Sequence, residues 1–211
     1  MGIYKVEDLA RADRLYIANE FGIMGDQLVD HANGIDNSDI HEVYIPEETS
    51  LTQGQVLPRN YSITEMPMII REMNDDLSTK LRNQEETTKV LSLYIGYASD
   101  QGGFNRQMAL EKPTDDTDTL YKGLMTIFNK HIVDKPVRRV SINYGHLRPL
   151  SSNEQLDLFE TIEETDNLRN LNKTIDAIKG KFGKNAILRA SALKEGSTTI
   201  ERHSQIGGHR K

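Results

Sequence analysis

Two alternating runs interleaved with two helical stripes constrain this chain more than any other feature. Thr88 to Tyr97 puts Leu91, Leu93, Ile95 and Tyr97 on one face and Ser92, Tyr94 and Gly96 on the other. That period of two is the mark of a strand with one buried face. Val137 to Tyr144 repeats it, with Val140, Ile142 and Tyr144 inward and Arg139, Ser141 and Asn143 outward. Met66, Ile69, Ile70, Met73, Leu77 and Leu81 recur at helical spacing, as do Leu120, Leu124, Ile127 and Phe128. Ser62-x-x-Glu65 has capping-box form. Thr64 is the preferred N-cap, because it keeps Pro67 in the first turn, where a missing N–H costs nothing. Thr114 reads as the cap of the second helix. QGQVLPRNY (residues 53–61) is a short extended segment, and Phe104 to Leu110 returns from a turn at Ser99–Gly103. The order is β-α-β-β-α-β. It predicts an α+β fold of the split βαβ kind, with both helices on one face of an antiparallel sheet.

Such a topology leaves the opposite sheet face open. Arg139, Ser141, Asn143, Ser92 and Tyr94 project there, with Arg138 near the strand start. A polar face carrying one or two guanidinium groups can line a phosphate backbone without reading bases. An ordinary solvated sheet face has the same composition, and both readings stand at this level. An RNA-recognition-type module shares the topology but stacks bases on exposed aromatic rings, and the outward positions offer only Tyr94.

The flanks are helical and polar. Residues 1–40 read as short helices carrying Val6, Leu9 and Ala10, then Leu15, Tyr16 and Ile17, with Gly34 suited to a left-handed helix end. Residues 41–50 form a linker. Leu168, Leu171, Ile175, Ile178 and Phe182 make a stripe that ends at Gly183, an amphipathic helix that packs on the sheet domain or binds another protein. The last residues read as a disordered, basic tail available for phosphate contacts. Residues 166–211 hold ten Lys/Arg against four Asp/Glu, whereas the whole chain has a net charge of −6. A basic end on an acidic body suggests a polyanion or an acidic partner for it, and a solvated, disordered tail has the same composition.

Several function classes drop out. There is no Cys, which excludes disulfides and thiolate metal sites. Neither a signal-peptide h-region nor an apolar run of about 18 residues is present, which points to a cytoplasmic protein with no membrane association. Asp115, Asp116 and Asp118 suit a helix start, and Asp75 and Asp76 sit on the expected solvated side of their helix. Six scattered His lack metal-ligand spacing, so no catalytic residue and no metal ligand is assigned. Gln155-Leu156-Asp157-Leu158-Phe159 places three apolar side chains among Ser, Asn, Glu and Asp. It is either half a turn of core helix or a peptide that inserts into another protein.

Weak motifs in register carry a resemblance across nearly the whole chain. Met1-Gly-Ile-Tyr-Lys-Val-Glu-Asp-Leu-Ala10, Phe21-Gly22, Gly25 and His31-Ala-Asn-Gly-Ile-Asp36 come first. Gln53-Gly-Gln-Val-Leu-Pro-Arg59, Gly103-Phe104, Pro113-Thr114 and Pro136-Val-Arg-Arg139 follow. Lys184-Asn-Ala-Ile-Leu-Arg-Ala190 and Ile206-Gly-Gly-His-Arg-Lys211 complete the series. Together they resemble the C-terminal half of Y-family translesion DNA polymerases of the UmuC/ImpB/MucB/SamB type. The resemblance implies a partial thumb over 1–45, with an incomplete helix-hairpin-helix, and a DNA-binding little finger over 46–150. It further implies a linker over 151–165, then the amphipathic helix and flexible tail over 166–211. Expected contacts to primer–template DNA are Gly2, Tyr4, Lys5, Gln53, Gln55, Arg59, Ser92, Tyr94, Arg106, Arg138, Arg139, Ser141 and Asn143. Gln155, Leu156, Asp157, Leu158 and Phe159 resemble the pentapeptide that binds the bacterial sliding clamp. The family's metal-binding carboxylates lie in a palm that precedes the thumb and has no counterpart here. The chain alone is therefore expected to add no nucleotides and to carry no cofactor, the two Mg²⁺ ions belonging to the full-length parent.

Overall fold

A computed structural model of the chain describes residues 2–39, 49–99, 101–150 and 162–204, with the side chains of 162–166 left aside. Two compact units form, Met1–Pro46 and Glu47–Lys211.

The first unit holds helices α1 (Val6–Ala10), α2 (Arg14–Phe21) and α3 (Ile23–Ala32). Arg14 ties α2 to α3 by donating to Asp26 at 2.8 Å and to Asp30 at 2.6 Å. The end of α3 is a Schellman turn: Ile35 N–H reaches the Asp30 carbonyl and Gly34 N–H the His31 carbonyl. Gly34 has φ +73° there, the left-handed conformation predicted for it.

The second unit is the α+β domain. Its elements run β1 (Leu51–Tyr61), α4 (Met66–Asn83), β2 (Glu86–Tyr97), β3 (Gly103–Thr114), α5 (Thr117–His131) and β4 (Val137–Gly145). A short β5 (Arg148–Pro149), which the sequence did not announce, pairs with the start of β2. The sheet order is β1-β4-β2-β3 with every pairing antiparallel. Each helical crossover therefore skips one strand: β1 to β2 passes over β4, and β3 to β4 passes over β2. All three inward residues of β4, and Leu91, Leu93 and Ile95 of β2, join one core with the apolar stripes of α4 and α5. A polar bolt runs through that core. The buried Tyr144 hydroxyl donates to Asn74 Oδ1 at 2.8 Å and lies 3.1 Å from Ser78 Oγ, while Asn74 Nδ2 donates to the Thr117 carbonyl. Burial pushes the Tyr144 phenol well above its usual range.

Both helix starts lie further along the chain than predicted. α4 begins after Glu65, not Thr64, and Pro67 still falls in the first turn. The Glu65 carboxylate accepts from Ser62 N–H and Oγ and from Arg59. α5 is capped by Asp116, which accepts from Thr119 N–H, while Thr114 Oγ1 instead accepts from Asp116 N–H. A carboxylate is as good a cap as a hydroxyl, so the acidic run moves the cap two residues on.

The largest correction concerns the C-terminal segment. α6 (Ile162–Phe182) docks on the helical side of the domain through Asp176. That carboxylate accepts from Arg82 Nε at 2.6 Å and Thr79 Oγ1 at 2.8 Å, and the ion pair is almost fully buried. Ile175 and Ile178 are half-buried, while Leu168, Leu171 and Phe182 stay exposed. Beyond Gly183, the expected flexible tail is instead packed over 183–204, with a 3-10 turn at Ala190–Leu193 and a short α7 (Thr199–His203). Arg189 pairs with Asp75 at 2.7 Å, and Arg202 with Asp76 at 2.7 Å. His203 Nε2 also meets Asp76, at 3.0 Å, and Thr198 N–H donates to Glu72. Asp75 and Asp76 are thus covered, not solvated. The physical reason is charge: the acidic side of α4 is the partner that the basic segment required. Burial alone would raise Asp76, but the His203 hydrogen bond and the Arg202 charge bring its carboxyl down to about 2.

Candidate nucleic-acid interface

The open face of the sheet is built in ranks. Across β1, β4, β2 and β3, one rank reads Thr52, Asn143, Ser92, Gln107. The next reads Gly54, Ser141, Tyr94, Asn105, and the third Val56, Arg139, Gly96, Gly103. Asn143 Nδ2 donates to Thr52 Oγ1 at 2.6 Å, and Ser141 Oγ donates to the Gln53 carbonyl at 3.3 Å. These are short neutral side chains that supply hydrogen-bond partners at low relief. Tyr94 lies down rather than standing off the sheet. Its hydroxyl is 2.8 Å from where a Cβ on Gly96 would sit, so only glycine leaves room for the ring. Gly96 is accordingly buried beneath it.

Arg138 and Arg139 sit at a β-bulge. Gly96 pairs with Arg139 and the following Tyr97 with Val137, which leaves Arg138 as the extra residue. A bulge breaks the alternation that would otherwise send consecutive side chains to opposite faces. Neither guanidinium pairs with a carboxylate among the described residues. Arg14, Arg59, Arg71, Arg82, Arg189 and Arg202 all do.

Other predicted contacts are placed elsewhere. Gln53 and Gln55 lie opposite the core residues Ile142 and Val140, on the helical side of β1. Gln55 Nε2 donates to Thr198 Oγ1, and Arg202 donates to Gln55 Oε1. Period-two spacing from the buried Leu57 already puts both glutamines inward. Arg106 lies opposite the buried Leu93, at the edge, donating to its neighbour Asn105. Arg59 forks onto Glu65 and stacks 4.0 Å over the Tyr61 ring. Gly2, Tyr4 and Lys5 belong to the helical unit, where Tyr4 is 90 % exposed. The Tyr4 and Lys5 N–H groups both donate to Asp8. Residues 155–159 lie outside the described residues. Sequence reasoning missed Thr52, Asn105 and Gln107, which strand register alone brings to the open face.

Among the described residues no group of three or more His, Asp or Glu is placed to hold a metal ion. No helix among them is long and apolar enough to cross a membrane.

Known proteins frame this geometry. DNA polymerase IV 2 of Bacillus subtilis (strain 168) is 32% identical over 217 residues, covering 100% of this chain and 51% of that protein. UvrX of the same organism, whose name assigns it to UV-damage repair, is 33% identical over 213 residues, covering 100% of this chain and 50% of its own. DNA repair protein homolog YobH, also from B. subtilis, is 35% identical over 133 residues, covering 62% and 61%. The chain thus spans about half the length of the first two curated relatives it matches. An RNA-recognition reading is not favoured by these relatives. Residues 48–158, which include strands β1 to β5 and helices α4 and α5, match the impB/mucB/samB family C-terminal domain, and the chain belongs to that family.

Proposed function

We propose that the chain is the DNA-binding, clamp-tethering C-terminal portion of a Y-family translesion polymerase. The observation that carries the DNA reading is the pair of guanidinium groups at the β4 bulge that have no carboxylate partner among the described residues, flanked by ranks of Ser, Asn, Thr and Tyr. Two cations above a low, hydrogen-bonding floor suit consecutive phosphates of a duplex. The short Ser, Thr and Asn side chains of the ranks suit sequence-independent holding. A translesion polymerase needs that property, because a lesion can lie in any sequence. The helical unit and the sheet domain would take the thumb and little-finger roles of the family. Gln155–Phe159 would carry tethering: Leu158 and Phe159 insert into an apolar pocket on the clamp while the Gln155 amide bonds at its rim. The exposed Leu168, Leu171 and Phe182 remain available to another protein.

Titration of isotope-labelled protein with a short primer–template duplex tests the DNA reading by amide shift mapping. Perturbations should gather on Ser92, Tyr94, Arg138, Arg139, Ser141 and Asn143. Perturbations gathered instead on α4, α6 and α7 would place DNA on the opposite side and overturn it.

A further inference from the structure

One side chain of the open face ends beside a guanidinium group and bonds to nothing. Tyr94 is half-buried and laid along β2 toward Gly96, and its hydroxyl has no hydrogen-bond partner among the described residues. Two distances locate that hydroxyl. A Cβ on Gly96 would stand 2.8 Å from the Tyr94 oxygen and 3.1 Å from the Arg139 Cβ. The phenol tip and the root of the Arg139 side chain therefore converge on one point, where Gly96 of β2 pairs with Arg139 of β4. Arg139 is exposed, and its guanidinium meets no carboxylate among the described residues. Gly103, which pairs with Gly96 from β3, is exposed as well. The surface beside the two donors thus ends in bare backbone, with no side chain to fill the place of an anion.

The two donors are complementary. A guanidinium offers a charged fork of N–H groups, and a phenol offers one neutral O–H. A phosphodiester has two unbridged oxygens, so each donor can take one. Resting on the DNA reading of this face, the geometry points to a single phosphate seat in which the Tyr94 hydroxyl and the Arg139 guanidinium hold one backbone phosphate, with Gly96 as the positioning residue that lets the phenol reach it. Any side chain at position 96 drives the hydroxyl off its place beside Arg139, because the Tyr94 oxygen already occupies that space. The seat needs the hydroxyl itself. A base stacked on the Tyr94 ring would need only the ring.

Anisotropy titrations of a fluorescein-labelled primer–template duplex with the full chain, across a salt series, test this. Tyr94→Phe removes one oxygen that bonds to no described residue, so the fold should stay intact by circular dichroism. It should weaken binding about tenfold, the loss of one hydrogen bond to a charged group. It should leave the salt slope unchanged, because a neutral donor displaces no counterion, whereas Arg139→Ala should make the slope shallower by about 0.9. Gly96→Ala should weaken binding as Tyr94→Phe does, and the two together should cost no more than either alone. If Gly96→Ala does not fold, Tyr94→Phe still decides the seat. Wild-type affinity in Tyr94→Phe, with the expected slope in Arg139→Ala, overturns the seat and leaves the DNA reading standing. Weak binding by Tyr94→Ser beside normal binding by Tyr94→Phe would mean that the ring stacks on a base, and overturns it equally. An unchanged slope in Arg139→Ala removes the DNA reading and the seat with it. Losses that add in the double variant would mean that Gly96 acts through the fold alone, and overturn its positioning role.

Discussion

Removing the Asp176 carboxylate should release the C-terminal segment without unfolding the sheet. Asp176 takes two hydrogen bonds from Arg82, at 2.6 and 3.2 Å, and one from Thr79. Both charged side chains are less than a tenth exposed. Deleting one partner of a buried pair costs about 3–5 kcal/mol when the other charge stays buried and unpaired. Two features hold the effect near the lower end. Arg82 keeps its bonds to the Asp115 carbonyl and Thr117 Oγ1, and α6 can lift away and let water reach the guanidinium. Asp176→Ala should therefore weaken docking by about 3 kcal/mol, a rise of roughly a hundredfold in the open population. Hydrogen exchange read by mass spectrometry separates the segment from the sheet. Peptides covering 167–182 and 186–204 should lose protection, while those of β2 and β4 keep theirs. Unchanged exchange in α6 would refute the role given to the pair. An equal loss in β2 and β4 would mean that α6 is part of one cooperative core.

Three further outcomes follow from named contacts. Asp76 has its carboxyl lowered from 3.8 to about 2 by contacts with His203 and Arg202 that outweigh its burial, so its contribution is fully present above the unfolded value of 3.8. It is lost as pH falls toward 2, and amounts to about 2 kcal/mol; denaturant titrations at pH 5 and pH 2.5 should show that loss in wild type and much less in Asp76→Asn. Tyr144→Phe strips Asn74 Oδ1 and Ser78 of a buried partner, and urea unfolding should show a loss of about 1–3 kcal/mol. Leu158→Ala with Phe159→Ala should abolish binding to the sliding clamp in a pull-down, because a micromolar peptide has only about 8 kcal/mol in total; melting temperature and DNA affinity should stay at wild-type values, and a melting point lowered by many degrees would put the pair in a core.

The core was legible because burial leaves a local trace. Alternation in β2 and β4 and the apolar spacing in α4 and α5 name nearly every residue of the buried cluster. The bulge at Arg138 was not legible, since an inserted residue shows only against the partner strand. The inward side of Gln53 and Gln55 was legible, since they share the parity of Leu57. The docking of 183–204 escaped for a different reason. Arg202 and Asp76 are 126 residues apart, and composition reads such a segment as disordered when its counter-charges lie on a distant helix.

The salt dependence of DNA binding tests the central claim most directly. Wild type and Arg138→Ala/Arg139→Ala should be compared on two primer–templates of unrelated sequence, across a series of salt concentrations. Each lost phosphate contact lowers the slope of log K against log salt by about 0.9 on duplex DNA. The double variant should therefore show a slope shallower by about two, and the same loss of affinity on both sequences. A loss confined to one sequence, or a slope unchanged by removing both guanidinium groups, would contradict a backbone-holding sheet face.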